Sequence, residues 1–157
     1  MDYLTTLKII HRELLPGNYV EIGCRQGRSL SLATCQSIAI DPDFEITFQL
    51  EAPTRIFRMT SDQFFSRYDL KQLLCGPVDL AFIDGMHKAE FALRDFLNLE
   101  KSGHAGTVIL LDDVLPDKIE LLHVDATIRE LPGMEDVPLV EAWVERQKPP
   151  TRTRTRL

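Results

Sequence analysis

Three carboxylates and one histidine gather at two places in this chain, Asp84 and His87 in Phe82-Ile-Asp-Gly-Met-His87, and Asp112 and Asp113 in Val108-Ile-Leu-Leu-Asp-Asp-Val114. Brought to one rim, Asp84, Asp112 and Asp113 would repel one another unless a cation or a proton were shared among them. Oxygen-only donors suit Mg²⁺ or Ca²⁺ better than zinc. The bland alternative is that Asp112 or Asp113 caps a following helix while Asp84 braces its own turn. His87 stands three residues beyond Asp84, where an imidazole titrating near ~6.5 could take a proton from a hydroxyl group. At a helix start it could equally be a surface or capping residue.

A second constellation lies near the N-terminus, in Glu21-Ile-Gly23-Cys-Arg-Gln-Gly27-Arg-Ser29. Glycines between a strand and a helix start let a ligand approach the backbone closely, and the helix start offers unpaired N–H groups to a carboxylate or phosphate. Asp41 ends the next apolar run, Ser37-Ile-Ala-Ile, where a carboxylate can accept hydrogen bonds from a ribose diol. A dinucleotide site needs Gly-x-Gly-x-x-Gly, because the pyrophosphate passes close to the second glycine, but here that position is Arg25. The ligand implied by this turn therefore has no pyrophosphate. Ser29 has a competing role, since a serine in a first helical turn often caps its own backbone. Cys24 is read as a small apolar filler rather than a nucleophile.

The elements that must position these residues follow from periodicity. Val78 to Ile83 and Thr107 to Leu111 are nearly continuous apolar runs, the pattern of parallel strands covered on both faces, and the helical stretch from about His87 to Lys101 makes them a βαβ unit. Earlier strands are expected at Asn18 to Gly23, Ser37 to Asp41 and, more weakly, Arg55 to Met59. Helices are expected at Asp2 to Leu14, from Arg28 to Thr34, briefly around Phe44 to Leu50, and from the Thr60-Ser61-Asp62 cap to about Leu74. Past Pro116 a helix over Asp117 to Leu131 and a strand over Val137 to Val144 complete the pattern. If the strands lie parallel in one sheet, Asp84, Asp112 and Asp113 converge on the rim where open α/β sheets bind ligands.

The 157 residues, 44% of them hydrophobic, fit one α/β domain over 1–145. Residues 146–157 hold five basic residues and no acid, with too little apolar content to pack. The net charge of −6 therefore hides a body more acidic still, which repels polyphosphate and excludes nucleic acid as the main partner. Three cysteines without metal-ligand spacing are expected to be free thiols, and the absence of a bilayer-length apolar run or basic leader points to a cytoplasmic protein without a membrane partner.

Taken in order, these motifs resemble a class I S-adenosylmethionine-dependent methyltransferase, of the family 24-like group with Glu-x-Gly-x-x-x-Gly-x-Ser and Ile-Asp-Gly-x-His motifs. The resemblance runs from about Tyr19 to Pro116. It implies a three-layer Rossmann-like fold with a mostly parallel sheet, shortened at the C-terminal end. It implies S-adenosylmethionine as cofactor, its methionine moiety held by Glu21, Gly23, Gly27 and Ser29, its ribose by Asp41, and its adenine by Ser61 and Asp62. Asp84 falls in both the cofactor-binding and the catalytic set, His87 is the candidate base, and Asp84, Asp112 and Asp113 are the candidate Mg²⁺ ligands. The expected reaction is direct methyl transfer to an oxygen of a small hydroxylated molecule. The alternative is a binding-only or inactive relative, completed by a homodimer through a missing sheet edge or by a protein partner.

Overall fold

The computed structural model describes residues 3–86 and 88–112, all within one compact unit, Met1–Ile119. His87, Asp113, the expected elements beyond Pro116 and the basic segment 146–157 lie outside the described residues. Helix α1 (Tyr3–Leu14) precedes strand β1 (Asn18–Ile22), a single 3-10 turn (Leu30–Leu32) and β2 (Gln36–Ile40). Then come β3 (Thr54–Phe57), the short helices α2 (Ser61–Phe65) and α3 (Leu70–Leu74), β4 (Leu80–Ile83), α4 (Ala89–Ser102) and β5 (Val108–Leu111). All strands run parallel in one sheet of order β3-β2-β1-β4-β5. The order reverses direction at β1, so the gap between the C-terminal ends of β1 and β4 is the topological switch point, where such sheets hold ligands.

The sheet divides two cores by the two-residue period of its strands. Val20, Ile22, Ile38, Ile40, Ala81 and Ile83 face Phe64, Leu70, Leu74 and Leu99, which α2, α3 and α4 supply. Tyr19, Ala39, Leu80 and Phe82 face the other way, against Leu7 of α1 and Leu30 and Ala33 around the 3-10 turn. Both faces are covered, which is why β4 carries apolar residues at consecutive positions and β1 is buried from Tyr19 to Ile22, Glu21 included.

Three expected helices differ from those found, each for a local reason. Arg28 to Thr34 forms only the 3-10 turn, because Ser29 donates its hydroxyl to Glu21 and Ser31 to the Arg28 carbonyl, both diverting polar side chains from a regular helix. Residues 43–53 form no helix. Their backbone bonds instead to the glycine turn, Glu45 N–H to the Arg25 carbonyl and Thr47 N–H to the Gln26 carbonyl, while Phe44, Ile46 and Leu50 pack on the α1-side core. The expected helix from Thr60 to Leu74 is two helices. Thr60 caps the first in a reciprocal box with Gln63, and Asp69 starts the second by accepting from the N–H groups of Lys71 and Gln72.

Phe64 is fully buried and meets the rings of Phe57, Phe65 and Tyr68 with centroids 4.9–5.4 Å away. Phe64→Ala should destabilise the fold by about 3–5 kcal/mol through lost burial and the cavity left behind. Phe48→Ala, at a site 40% exposed, should change it by less than about 1 kcal/mol. Paired denaturant titrations of the two variants check the contrast.

Candidate functional site

The site is built on a backbone contact at the switch point. Gly23 follows β1 with φ +86°, and a Cβ there would stand 2.0 Å from the carbonyl oxygen of Asp84. Its N–H bonds to the Ile40 carbonyl at 2.9 Å, while Asp84 N–H bonds to the Ile22 carbonyl at 2.8 Å. The ends of β2, β1 and β4 are thereby locked side by side, and only glycine fits between them.

From Gly23 the chain turns through Arg25, which adopts a left-handed backbone, φ +42°, without being glycine. Asp41 holds that turn. Its two carboxylate oxygens accept from Arg25 N–H at 2.7 Å and from Asp43 N–H at 2.8 Å, and the side chain is 5% exposed. Each oxygen keeps a second lone pair, so Asp41 can still accept from a ligand. Gly27 closes the turn at φ +82°, with Ile46 packed where a Cβ would point, 3.1 Å away.

A cavity of about 510 Å³ opens at this rim. Gly23, Asp41, Ser61, Asp62 and Asp84, among the residues expected from sequence, line it. So do Arg25, Thr60, Gly85, Phe91 and Asp95, which sequence reasoning did not assign to a site. Asp95 had a signal available, a lone acid among the apolar positions Phe91, Phe96 and Leu99 of an amphipathic helix. Burial raises the Asp95 carboxyl to about 6, against the pull of the nearby Ser61 hydroxyl, with the Asp62 charge adding to the rise. Asp62 itself is paired with Arg94 at 3.0 Å, and the Arg94 guanidinium lies 4.5 Å from the centre of the Phe91 ring.

Glu21, Ser29 and Gly27 stand elsewhere. Glu21 is completely buried on the α1 face of the sheet, accepting from the Tyr19 hydroxyl at 2.7 Å and the Ser29 hydroxyl at 2.6 Å. Burial pushes its carboxyl up to about 7, against the pull of those two donors, and the charges of Asp84 and Asp41 push the same way. These residues support the turn from beneath rather than lining the cavity. Cys24 is buried beside them, its thiol pushed up to about 12 by burial, which leaves no thiolate for chemistry at neutral pH.

The second strand end brings Asp84 and Asp112 together. Ile83 and Leu111 are register partners, and Asp112 N–H donates to the Ile83 carbonyl at 2.9 Å, so the two acids follow adjacent strands. Tyr3 of α1 stacks over Phe82, with ring centroids 5.8 Å apart, and burial, with the charges of Asp84 and Asp112 adding to it, raises its phenol. Among the described residues no three His, Cys, Asp or Glu groups form a metal-binding cluster. Asp113 and His87 fall outside those residues. His104 pairs with Asp79 at 2.9 Å among the loops before β1, β4 and β5. Among the described residues no helix is long and apolar enough to cross a membrane.

A family described as Methyltransferase domain matches residues 20–114. Among solved structures, the chain is similar to the O-methyltransferase TomG from Streptomyces achromogenes, involved in tomaymycin synthesis and solved in complex with SAM. The TM-score is 0.55 at 18% identity, over 91% of this chain and 66% of that one. The likeness is one of fold, and the chain spans just under two thirds of that enzyme's length. No curated protein matches the chain at a significant level.

The buried acid gives a pH signature. The folded state holds a proton on Glu21 up to about pH 7, whereas an exposed glutamate releases it near 4.5. The stability this contributes is fully present below that lower value and is lost as pH rises through about 7. Glu21→Gln, which stays neutral, should gain on the wild type across this window by up to about 3 kcal/mol. Thermal unfolding of both proteins at pH 5 and pH 8 would show the gap widening with pH; a constant gap would mean that Glu21 does not titrate there.

Proposed function

We propose that this chain, which belongs to the methyltransferase-domain family matched over residues 20–114, moves a methyl group from S-adenosylmethionine to an oxygen of a small hydroxylated molecule. The observation that carries the reading is the cavity at the β1/β4 switch point, with its glycine cradle and its strand-end carboxylate Asp41. The residues present fit the cofactor. A volume of about 510 Å³ is ordinary for a small-molecule site, and Gly23 leaves the β1 turn free of a side chain. Asp41 would accept from the ribose hydroxyls while it keeps the turn shaped, and Ser61 and Asp62 would flank the base. Glu21, Gly27 and Ser29 would act on the methionine end through the shape of the turn.

When bound, the cofactor supplies an electrophilic methyl group on a sulfonium centre. The chain's task would then be alignment, holding an acceptor oxygen in line with that methyl group at the rim between β1 and β4. The acceptor proton needs a base, and His87 is the candidate by its position after the Asp84 turn. Asp84 and Asp112, on adjacent strand ends, would hold Mg²⁺ together with Asp113. One or two carboxylates with water completing the shell suit that ion, which would lower the proton affinity of a coordinated hydroxyl group. The fold of TomG, an O-methyltransferase, is consistent with oxygen as the acceptor.

Calorimetric titration with S-adenosylmethionine and with S-adenosylhomocysteine, each with and without Mg²⁺, tests the reading. Wild type should bind both, and Asp41→Ala should weaken binding at least about tenfold, since each lost charged hydrogen bond costs on the order of 1.5–3 kcal/mol. Methyl transfer to hydroxylated acceptors that rises with Mg²⁺ would support the metal role. No binding under any condition would sink the enzyme reading, and binding without turnover on any acceptor would favour a binding-only relative.

A further inference from the structure

The α4 wall of the cavity carries a carboxyl group that methyl transfer does not use. Asp95 is 4% exposed and lines the cavity, where the nearby Ser61 hydroxyl favours its ionised form. An ionised carboxylate has about four acceptor sites, so one hydroxyl leaves most of its capacity open, and burial denies it bulk water. The neighbouring Asp62 is in a different state. It is paired with Arg94 at 3.0 Å and its side chain is 42% exposed, so both a cation and solvent already compensate its charge. Arg94 in turn lies over Phe91, fixing that ring as an apolar surface in the same wall.

A buried acceptor beside an aromatic face matches one kind of ligand edge. In adenine joined to ribose the exocyclic amine is the base's N–H donor, and its ring nitrogens only accept. We propose that Asp95 sets base specificity in this cavity by accepting from that amine, so that the site takes an adenosyl ligand and rejects an inosyl one. The inference rests on the cavity being the S-adenosylmethionine site and adds the residue that reads its base. A 6-oxopurine would put a carbonyl oxygen where the amine stood, acceptor against acceptor, and could offer its N1–H to the carboxylate only by shifting in the site. The Asp95 carboxyl, raised by burial to about 6, is still mostly ionised at pH 7.5 and therefore acts there as an acceptor.

The test is a calorimetric comparison of S-adenosylhomocysteine with its inosyl analogue at pH 7.5, on wild type, Asp95→Asn, Asp62→Asn and Ser61→Ala. Wild type should prefer the adenosyl compound by at least about tenfold, the equivalent of one good hydrogen bond. Asp95→Asn, whose amide can donate to a 6-oxo group, should shrink that ratio to within about threefold, whereas Asp62→Asn should keep it. Ser61→Ala removes the competing protein donor and should keep or sharpen the preference, which preserves the test if Asp95→Asn does not fold. Equal weakening of both ligands in Asp95→Asn, or a ratio that collapses in Asp62→Asn instead, would overturn the assignment. A wild type that binds the adenosyl compound without preference overturns it while leaving the cofactor reading intact; a wild type that binds neither compound overturns both.

Discussion

Everything at the rim depends on the closeness of two backbones, Gly23 after β1 and Asp84 after β4. A side chain at residue 23 would overlap the Asp84 carbonyl, and the positive φ would strain any other residue. With glycine there, the hydrogen bonds Gly23 N–H to Ile40 and Asp84 N–H to Ile22 extend the sheet's pairing one step past the strands. The turn that follows can then bend back over β2, where Asp41 catches Arg25 N–H. A cavity forms because the chain leaves β1 and β4 in different directions from a common, rigid point. The chemistry assigned to it is thus set by sheet topology before any side chain is considered.

The same rim concentrates negative charge, and the protein handles each acid differently. Asp41 is held by two backbone N–H groups. Glu21 lies below the turn with two hydroxyl donors, and burial leaves its proton in balance near neutrality. Asp62 takes Arg94, whereas Asp95, one residue along α4 from that arginine, lies buried with the Ser61 hydroxyl nearby to favour its charge. Placing so many carboxyls around one turn costs stability when all are charged. A ligand bringing hydroxyl and amine donors, or a divalent ion near Asp84 and Asp112, would relieve part of that repulsion, so ligand affinity and fold stability are linked here.

The sequence by itself determined the strands, their parallel arrangement and the rim. Continuous apolar runs ending in Asp84 and Asp112, and the glycine pair around Arg25, can be read without coordinates because local covalent preferences and burial on both faces fix them. The motif resemblance also assigned eight residues to the cofactor, of which Gly23, Asp41, Ser61, Asp62 and Asp84 line the cavity and Glu21, Gly27 and Ser29 do not. Only the tertiary structure decided which acids face the ligand and which face the core. Glu21 and Ser29 sit in the same motif as Gly23, yet the two-residue period of β1 turns Glu21 toward α1, and Ser29 follows it to satisfy a buried carboxyl. Asp95 belongs to no motif and enters the site because α4 packs across the sheet beside α2, a juxtaposition of residues distant in sequence. The short helices around residues 60–74 and the irregular loop at 43–53 went the same way, since their backbone partners lie on other segments and local propensity carries no record of them.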